Sequence, residues 1–284
     1  MTLTEYHLPG SLPEALALLA DHGPELLVLA GGTVAMPLIN EGISLPERAM
    51  GLRRAGLDRI ERSGGTLRIG ATATLTQLLD QRDVPMLAAA ARSTASWSLR
   101  NMGTVGGNLF TPPPGGDVAV ALLALDARIV LASTRGERTV DLDDFHTGFM
   151  TNQLEADELV TEILVPVGDA PTAYLKFGRK HANTPSVVTV AVRLAWEGDR
   201  VVEARIALGA VGPHPIRARR AEEAAIGTDL APAAIAAAAA DCEPATDGIA
   251  TAWYRRRMCG LQVGRALDRA RDARQAGNAR KDGA

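Results

Sequence analysis

Two glycine clusters constrain this chain more than any other feature: Ala30-Gly31-Gly32-Thr33, and Gly103-Thr104-Val105-Gly106-Gly107-Asn108. Neither reads G-x-G-x-x-G, so the doubly wound dinucleotide fold, whose first turn depends on that spacing, is disfavoured. The first cluster directly follows LLVLA (Leu26 to Ala30), an apolar run of the length of a buried strand. The sequence after Thr33 reads as a helix beginning, despite Pro37. Glycines let neighbouring amides turn toward one point without Cβ obstruction. Between a strand and a helix N-terminus such a turn suits an anion, and Thr33 adds a hydroxyl. The bland alternative is a tight turn. In the second cluster, glycines at 103, 106 and 107 require unusual dihedrals or close backbone approach. Thr104 and Asn108 bring hydrogen-bonding side chains to the same place, and simple packing against other protein is the alternative.

The rest of the first half alternates short strands and helices. Ser11 with Glu14 fits a capping box opening a helix from Leu12, and Thr74 with Gln77 repeats the pattern. LDRIERSGGTLRIGA reads as a hairpin turning at Gly64-Gly65. A longer helix is expected from about Pro85 to Leu99. After Pro112-Pro113-Pro114, Asp117 is placed to cap the apolar helix VAVALLAL. RIVLAS, RTVDL and LVTEILVP follow as strands. VGDAPT, near 168–172, reads as a linker. Beyond it, AYLKFGRK, SVVTVAVRLAW and VVEARIALGAV predict a three-stranded antiparallel sheet. IRARRAEEAAI, the alanine run and Thr251 to about Arg274 predict helices, and GNARKDGA a frayed polar tail. This order fits an α+β fold better than repeated βαβ units.

Composition removes several function classes. Hydrophobic residues at 46% and charged residues at 22% imply ordinary packed cores. A net charge of −3 with no basic stripe speaks against nucleic acid. Cys242 and Cys259 are too few for an ordinary iron–sulfur cluster, which takes about four thiolates. They give no disulfide framework either, which fits a reducing cytoplasm. The longest uncharged apolar stretch, Leu26 to Ile39, is broken by glycine and proline and is shorter than the roughly 20 residues of a membrane span. No secretory signal is visible at MTLTEYHLPGS, so a soluble cytoplasmic protein is expected.

Two charged residues stand out among apolar neighbours. Asp117 could accept from ribose hydroxyls, as acidic residues do at other dinucleotide sites, or serve only as a helix cap. Lys176, within AYLKF, could pack its stem or place a cation beside a flavin pyrimidine ring.

Together these segments resemble the FAD-binding subunits of molybdopterin dehydrogenases. The resemblance is carried by AGGT, RNMGTVGGNL, Asp117 before ALLALDA, GERTVDLDDF, DELVTEILVP and AYLKFGRK, in family order and at family spacing. GAVGPHPIRARRAE and YRRRM continue it into the last helix. It implies a two-lobed FAD-binding domain of the vanillyl-alcohol-oxidase (PCMH) type over 1–170, with lobes of about 1–54 and 55–170. An α+β flavoprotein C-terminal domain over 171–276 and a tail of 277–284 would follow. By resemblance, Ala30, Gly31, Gly32, Thr33, Val34 and Ala35 bind the pyrophosphate region. Thr104, Val105, Gly106, Gly107 and Asn108 bind from the opposite lobe, with Val105 near the flavin. Ala95 and Val160 are backbone contacts, Asp117 meets the adenosine ribose, and Lys176 lies close to the isoalloxazine.

The resemblance further implies a molybdopterin-binding large subunit and a small subunit with two-iron–two-sulfur clusters, assembled as a dimer of heterotrimers. No catalytic side chain and no metal ligand is expected in this chain. One departure is Val34, where the family usually has Asp or Ser, which predicts weaker FAD retention. Two other readings are carried forward. One is a free-standing flavin oxidoreductase of the same fold, for which His181 would be the nearest candidate for covalent attachment. The other is a degenerate scaffold without redox work.

Overall fold

The computed structural model describes residues 3–113, 115–180, 183–229 and 232–282, so the candidate His181 lies outside the described residues. Helix Leu12–His22 opens as its sequence dictates. The Ser11 hydroxyl accepts the Glu14 amide at 3.4 Å, while the Glu14 carboxylate reaches back to the Gly10 amide at 2.7 Å. The helix lays Ala15, Leu16 and Leu19 on a three-stranded parallel sheet, in which Arg48–Gly51 lies between Glu5–His7 and Leu26–Leu29. Two of these strands, Glu5–His7 and Arg48–Gly51, are too short to announce themselves by alternation.

The second lobe is a five-stranded antiparallel sheet. The hairpin Ile60–Ser63 and Thr66–Gly70 forms as expected, with Gly64 at φ +58° in its turn. Leu159–Pro166 comes last in sequence but sits centrally, between Thr66–Gly70 and Arg128–Ser133, with Gly136–Asp141 at the edge. Its near-continuous burial explains its run of Leu, Val and Ile. At the lobe's edge Arg138 grips the Glu158 carboxylate with two bonds of 2.6 and 2.7 Å, holding its pKa below the usual carboxylate range. A depressed pKa stabilises the fold above the unfolded value of about 4.3 and is lost as pH falls through the folded value. Glu158→Gln should therefore lower the melting temperature at neutral pH and flatten its decline in acid. Parallel melting curves of both proteins across acid pH test this.

The helix expected over Pro85 to Leu99 is broken. It ends at Ser93, Ala95 takes φ +55°, and a single turn Trp97–Arg100 follows. Local bonds impose the break. The Ser96 hydroxyl caps the new turn at the Leu99 amide, 3.3 Å away, and Arg100 Nη1 donates to the Thr94 and Ala95 carbonyls at 3.0 and 3.1 Å. Helix Asp117–Ala124 is buried on every side and is the centre of the larger core. Its expected cap is corrected: Gly116, at φ +78°, occupies the N-cap, and Asp117 is the first helical residue.

The C-terminal sheet has four strands rather than three, because Ile216–Arg217 adds to Arg200–Gly209. Alternation along Ser186–Glu197 decides its two faces. Val188, Val190, Val192 and Leu194 pack toward the C-terminal helices, whereas Ala191 joins the core around Asp117–Ala124. Gly209 allows that approach: a Cβ there would lie 2.5 Å from Val120. The last helix runs from Ala252 to Asp282, through the stretch where the sequence predicted a frayed tail.

Candidate functional site

The two glycine clusters, far apart in sequence, meet. A Cβ on Gly31 would fall 2.1 Å from the Met102 carbonyl oxygen and 3.1 Å from the Gly103 Cα. One on Gly107 would lie 3.9 Å from the Ala30 Cβ, and Thr33 Oγ1 lies 3.6 Å from the Cβ position of Gly103. Glycine is required at position 31 because backbone packs on backbone there.

Their amides are used differently. The N–H groups of Gly31, Gly32, Thr33, Val34 and Ala35 donate to no acceptor among the described residues, although all but Val34 are half-buried. Backbone donors seldom stay unpaired away from water. Successive unpaired amides around a residue such as Gly32, at φ +68°, have the donor pattern of backbone nests that suit anions. Val34 contributes one of these unpaired amides, and the residue is 38% exposed. The missing polar side chain therefore leaves the backbone donors intact.

The second cluster is a short helix, Val105–Leu109, already satisfied by protein. Val105 and Gly106 donate to the Ala73 and Ala71 carbonyls at 2.9 and 2.8 Å. Gly107 donates to the Thr104 hydroxyl at 3.1 Å, and Asn108 to the Thr104 carbonyl at 3.0 Å. The Asn108 side chain accepts the Ala119 amide at 3.0 Å, tying the turn to the central helix. Only the Thr104 amide has no acceptor among the described residues. The glycines here serve close packing, with a Gly106 Cβ 2.7 Å from the Ala71 oxygen. Val105 and Asn108 are buried in this turn.

Asp117 and Lys176 are brought together. Lys176 Nζ lies 2.7 Å from Asp117 Oδ2, and both side chains are buried. Asp117 Oδ1 accepts from the Ser186 and Thr189 hydroxyls at 2.6 and 2.7 Å, and the Asp117 carbonyl accepts from Tyr174 at 3.4 Å. Burial first, then the Asp117 charge, pushes the Tyr174 phenol up and keeps it a donor. The carboxylate expected to meet ribose thus already holds three donors. Ser186 and Thr189 were missed in the sequence, where the only signal is two hydroxyls inside the valine-rich run SVVTVAV. Ala95 sits in its left-handed turn and Val160 at a bulge of strand Leu159–Pro166.

Comparison with known proteins shows the family and the fold. The family described as FAD binding domain in molybdopterin dehydrogenase matches residues 2–168, and the CO dehydrogenase flavoprotein C-terminal domain matches 172–270. The medium chain of carbon monoxide dehydrogenase from Hydrogenophaga pseudoflava is 35% identical over 277 residues, covering 94% of this chain and 96% of the relative. The xanthine dehydrogenase FAD-binding subunit of Escherichia coli O157:H7 is 33% identical, covering 79% of this chain and 80% of the relative. The solved carbon monoxide dehydrogenase of Hydrogenophaga pseudoflava superposes with a TM-score of 0.91 at 36% identity, over 96% of this chain and 98% of that one. Quinoline 2-oxidoreductase from Pseudomonas putida 86 gives 0.89 at 29% identity, over 96% and 99%.

Proposed function

Because the chain belongs to the family of FAD-binding subunits of molybdopterin dehydrogenases, we propose that its two converging glycine turns form the flavin site. The chain is a flavoprotein subunit of a molybdenum-dependent dehydrogenase complex, and FAD is its cofactor. Molybdenum and iron–sulfur groups reside in partner subunits. When bound, FAD supplies redox chemistry that accepts electrons singly and releases them singly or in pairs.

One observation carries the residue assignment: the unpaired amides from Gly31 to Ala35, in the turn beside the second cluster. These amides, with Ala30 and the Thr33 hydroxyl, hold the pyrophosphate. Thr104 adds the one free amide of the second turn, while Val105, Gly106, Gly107 and Asn108 set its shape. Ala95 and Val160 line the margins. Lys176, steered by Asp117, places a cation at the cofactor's edge, where it favours negative charge on a reduced ring. Asp117 positions Lys176, and it reaches ribose only by giving up one of its donors. The flavin site lies in 1–170, between lobes 1–54 and 55–170, with 171–276 as the second domain.

The subunit's task is to pass electrons from the iron–sulfur partner to an external acceptor. We place it in a dimer of heterotrimers in the cytoplasm. Among the described residues no helix is long and apolar enough to cross a membrane. The purified chain, incubated with FAD and desalted, should retain flavin absorbance. Gly107→Val should retain at least about tenfold less, the factor that 1.4 kcal/mol carries. Its Cβ would crowd the Thr104 hydroxyl at 2.9 Å and open the capped turn. A wild-type chain that takes up no FAD, alone or in its complex, would contradict the assignment.

A further inference from the structure

The first strand and the first helix end at one spot outside the flavin turns. Glu5 and His7 stand two apart on strand Glu5–His7, so their side chains share a face. His22 is the last residue of helix Leu12–His22. A carboxylate oxygen of Glu5 and one ring nitrogen each from His7 and His22 all lie within 4.8 Å of one another. Nε2 of His7 is 3.1 Å from Glu5 Oε1, yet it is off the line of a hydrogen bond and has no hydrogen-bond partner. The same atom is buried. The two imidazoles are tilted by 30° with centroids 5.4 Å apart, and His22 makes no hydrogen bond through its ring among the described residues.

A buried ring nitrogen without a partner costs free energy. A single cation between the three groups would satisfy all of them. We propose that Glu5, His7 and His22 form a zinc site with an open fourth position. Two imidazoles and one carboxylate are a donor set zinc accepts, with bonds of about 2.0–2.2 Å. Tetrahedral bonds of that length put neighbouring donors about 3.3 Å apart. The His7–Glu5 spacing of 3.1 Å already meets this requirement. The spacings to His22, within 4.8 Å, tighten through rotation of the Glu5 and His22 side chains, neither of which is fully buried.

The surroundings orient the carboxylate. Arg48 Nε donates to Glu5 Oε2 at 2.9 Å, leaving Oε1 toward His7, and Arg48 is itself held by Glu25 at 3.1 Å. Outer partners of this kind fix ligand orientation in metal centres. The site fastens the N-terminal strand to the end of the first helix. Its effect is on the stability of the first lobe, since an ion that binds only the folded chain stabilises it by mass action.

The test adds zinc to the chelator-treated full chain and measures retained metal after dialysis, together with the melting temperature. One zinc per chain and a raised melting temperature are expected. His7→Ala and His22→Ala should each weaken retention at least tenfold, Glu5→Gln should weaken it less, and His214→Ala should leave it unchanged. All variants should melt with the wild type in the presence of chelator, which separates metal loss from misfolding. If either histidine variant fails to fold, Glu5→Gln against wild type decides. Flavin content should be the same in every variant, so this outcome is independent of the flavin assignment. A wild-type chain that retains no zinc, or zinc retained fully by the His7→Ala/His22→Ala double variant, would overturn the proposal.

Discussion

Gly31→Val is expected to strip the protein of flavin while leaving it folded. The added Cβ would meet the Met102 carbonyl oxygen at 2.1 Å, its carbon at 2.9 Å and the Gly103 Cα at 3.1 Å. All three are backbone atoms, so no side-chain rotation relieves the clash, and the two turns have to part. The three hydrophobic clusters contain neither Gly31 nor Met102, so the cores survive the change. Flavin retention should fall by well over tenfold. Gly32→Ala is the instructive comparison. A Cβ there meets only the flexible Met36 side chain at 3.3 Å, but the position holds φ +68°. Its cost is backbone strain of about 1–2 kcal/mol, a partial loss of flavin. The flavin-to-protein absorbance ratio after desalting, read beside a thermal melt, separates the two. Full flavin in Gly31→Val would mean that the contact between the turns does not shape the site.

Asp117→Ala is expected to be the most destabilising single change in the polar interior. It leaves the Lys176 ammonium buried without a counter-charge and leaves the Ser186 and Thr189 hydroxyls without their acceptor. Removing one partner of a buried pair typically costs about 3–5 kcal/mol. Against a total stability of about 5–15 kcal/mol that is a large fraction. Lys176→Met should cost less, because the carboxylate keeps two hydroxyl donors. Combining Asp117→Ala with Lys176→Met should recover part of the loss, since no unpaired charge then remains. Denaturant unfolding of the four proteins completes the cycle. Lys176→Met should also lower the flavin reduction potential in the loaded protein, a readout that a purely structural lysine would not move. Additive losses with an unchanged potential would reduce the pair to ordinary packing.

The local parts of this fold were legible because their causes are local. The Thr74–Gln77 capping box forms with reciprocal bonds of 2.7 and 3.3 Å, and the hairpin turns where Gly64 supplies a positive φ. The resemblance carried by ordered motifs also reached the family and the cofactor. Other features depend on partners distant in sequence. Leu159–Pro166 was readable as a strand, but its central place between two earlier strands was not. The helix predicted through Leu99 gave way to a left-handed Ala95, because Arg100 and Ser96 bind the backbone there.

The sequence by itself determined the elements, the glycines at the two turns and the charged pair of residues inside apolar segments, since each follows from propensity, capping or chain flexibility. Only the tertiary structure decided how they are used. Five amides of the first turn stay unpaired while four of the second are consumed by Ala71, Ala73 and Thr104. Asp117 faces Lys176 rather than open solvent because Lys176 and Thr189 are cross-strand partners and the register shift after Phe177 brings Ser186 to the same acceptor at the start of the central helix. Hydrogen-bond partners are assigned by proximity in the folded chain, and spacing along the sequence does not encode that proximity.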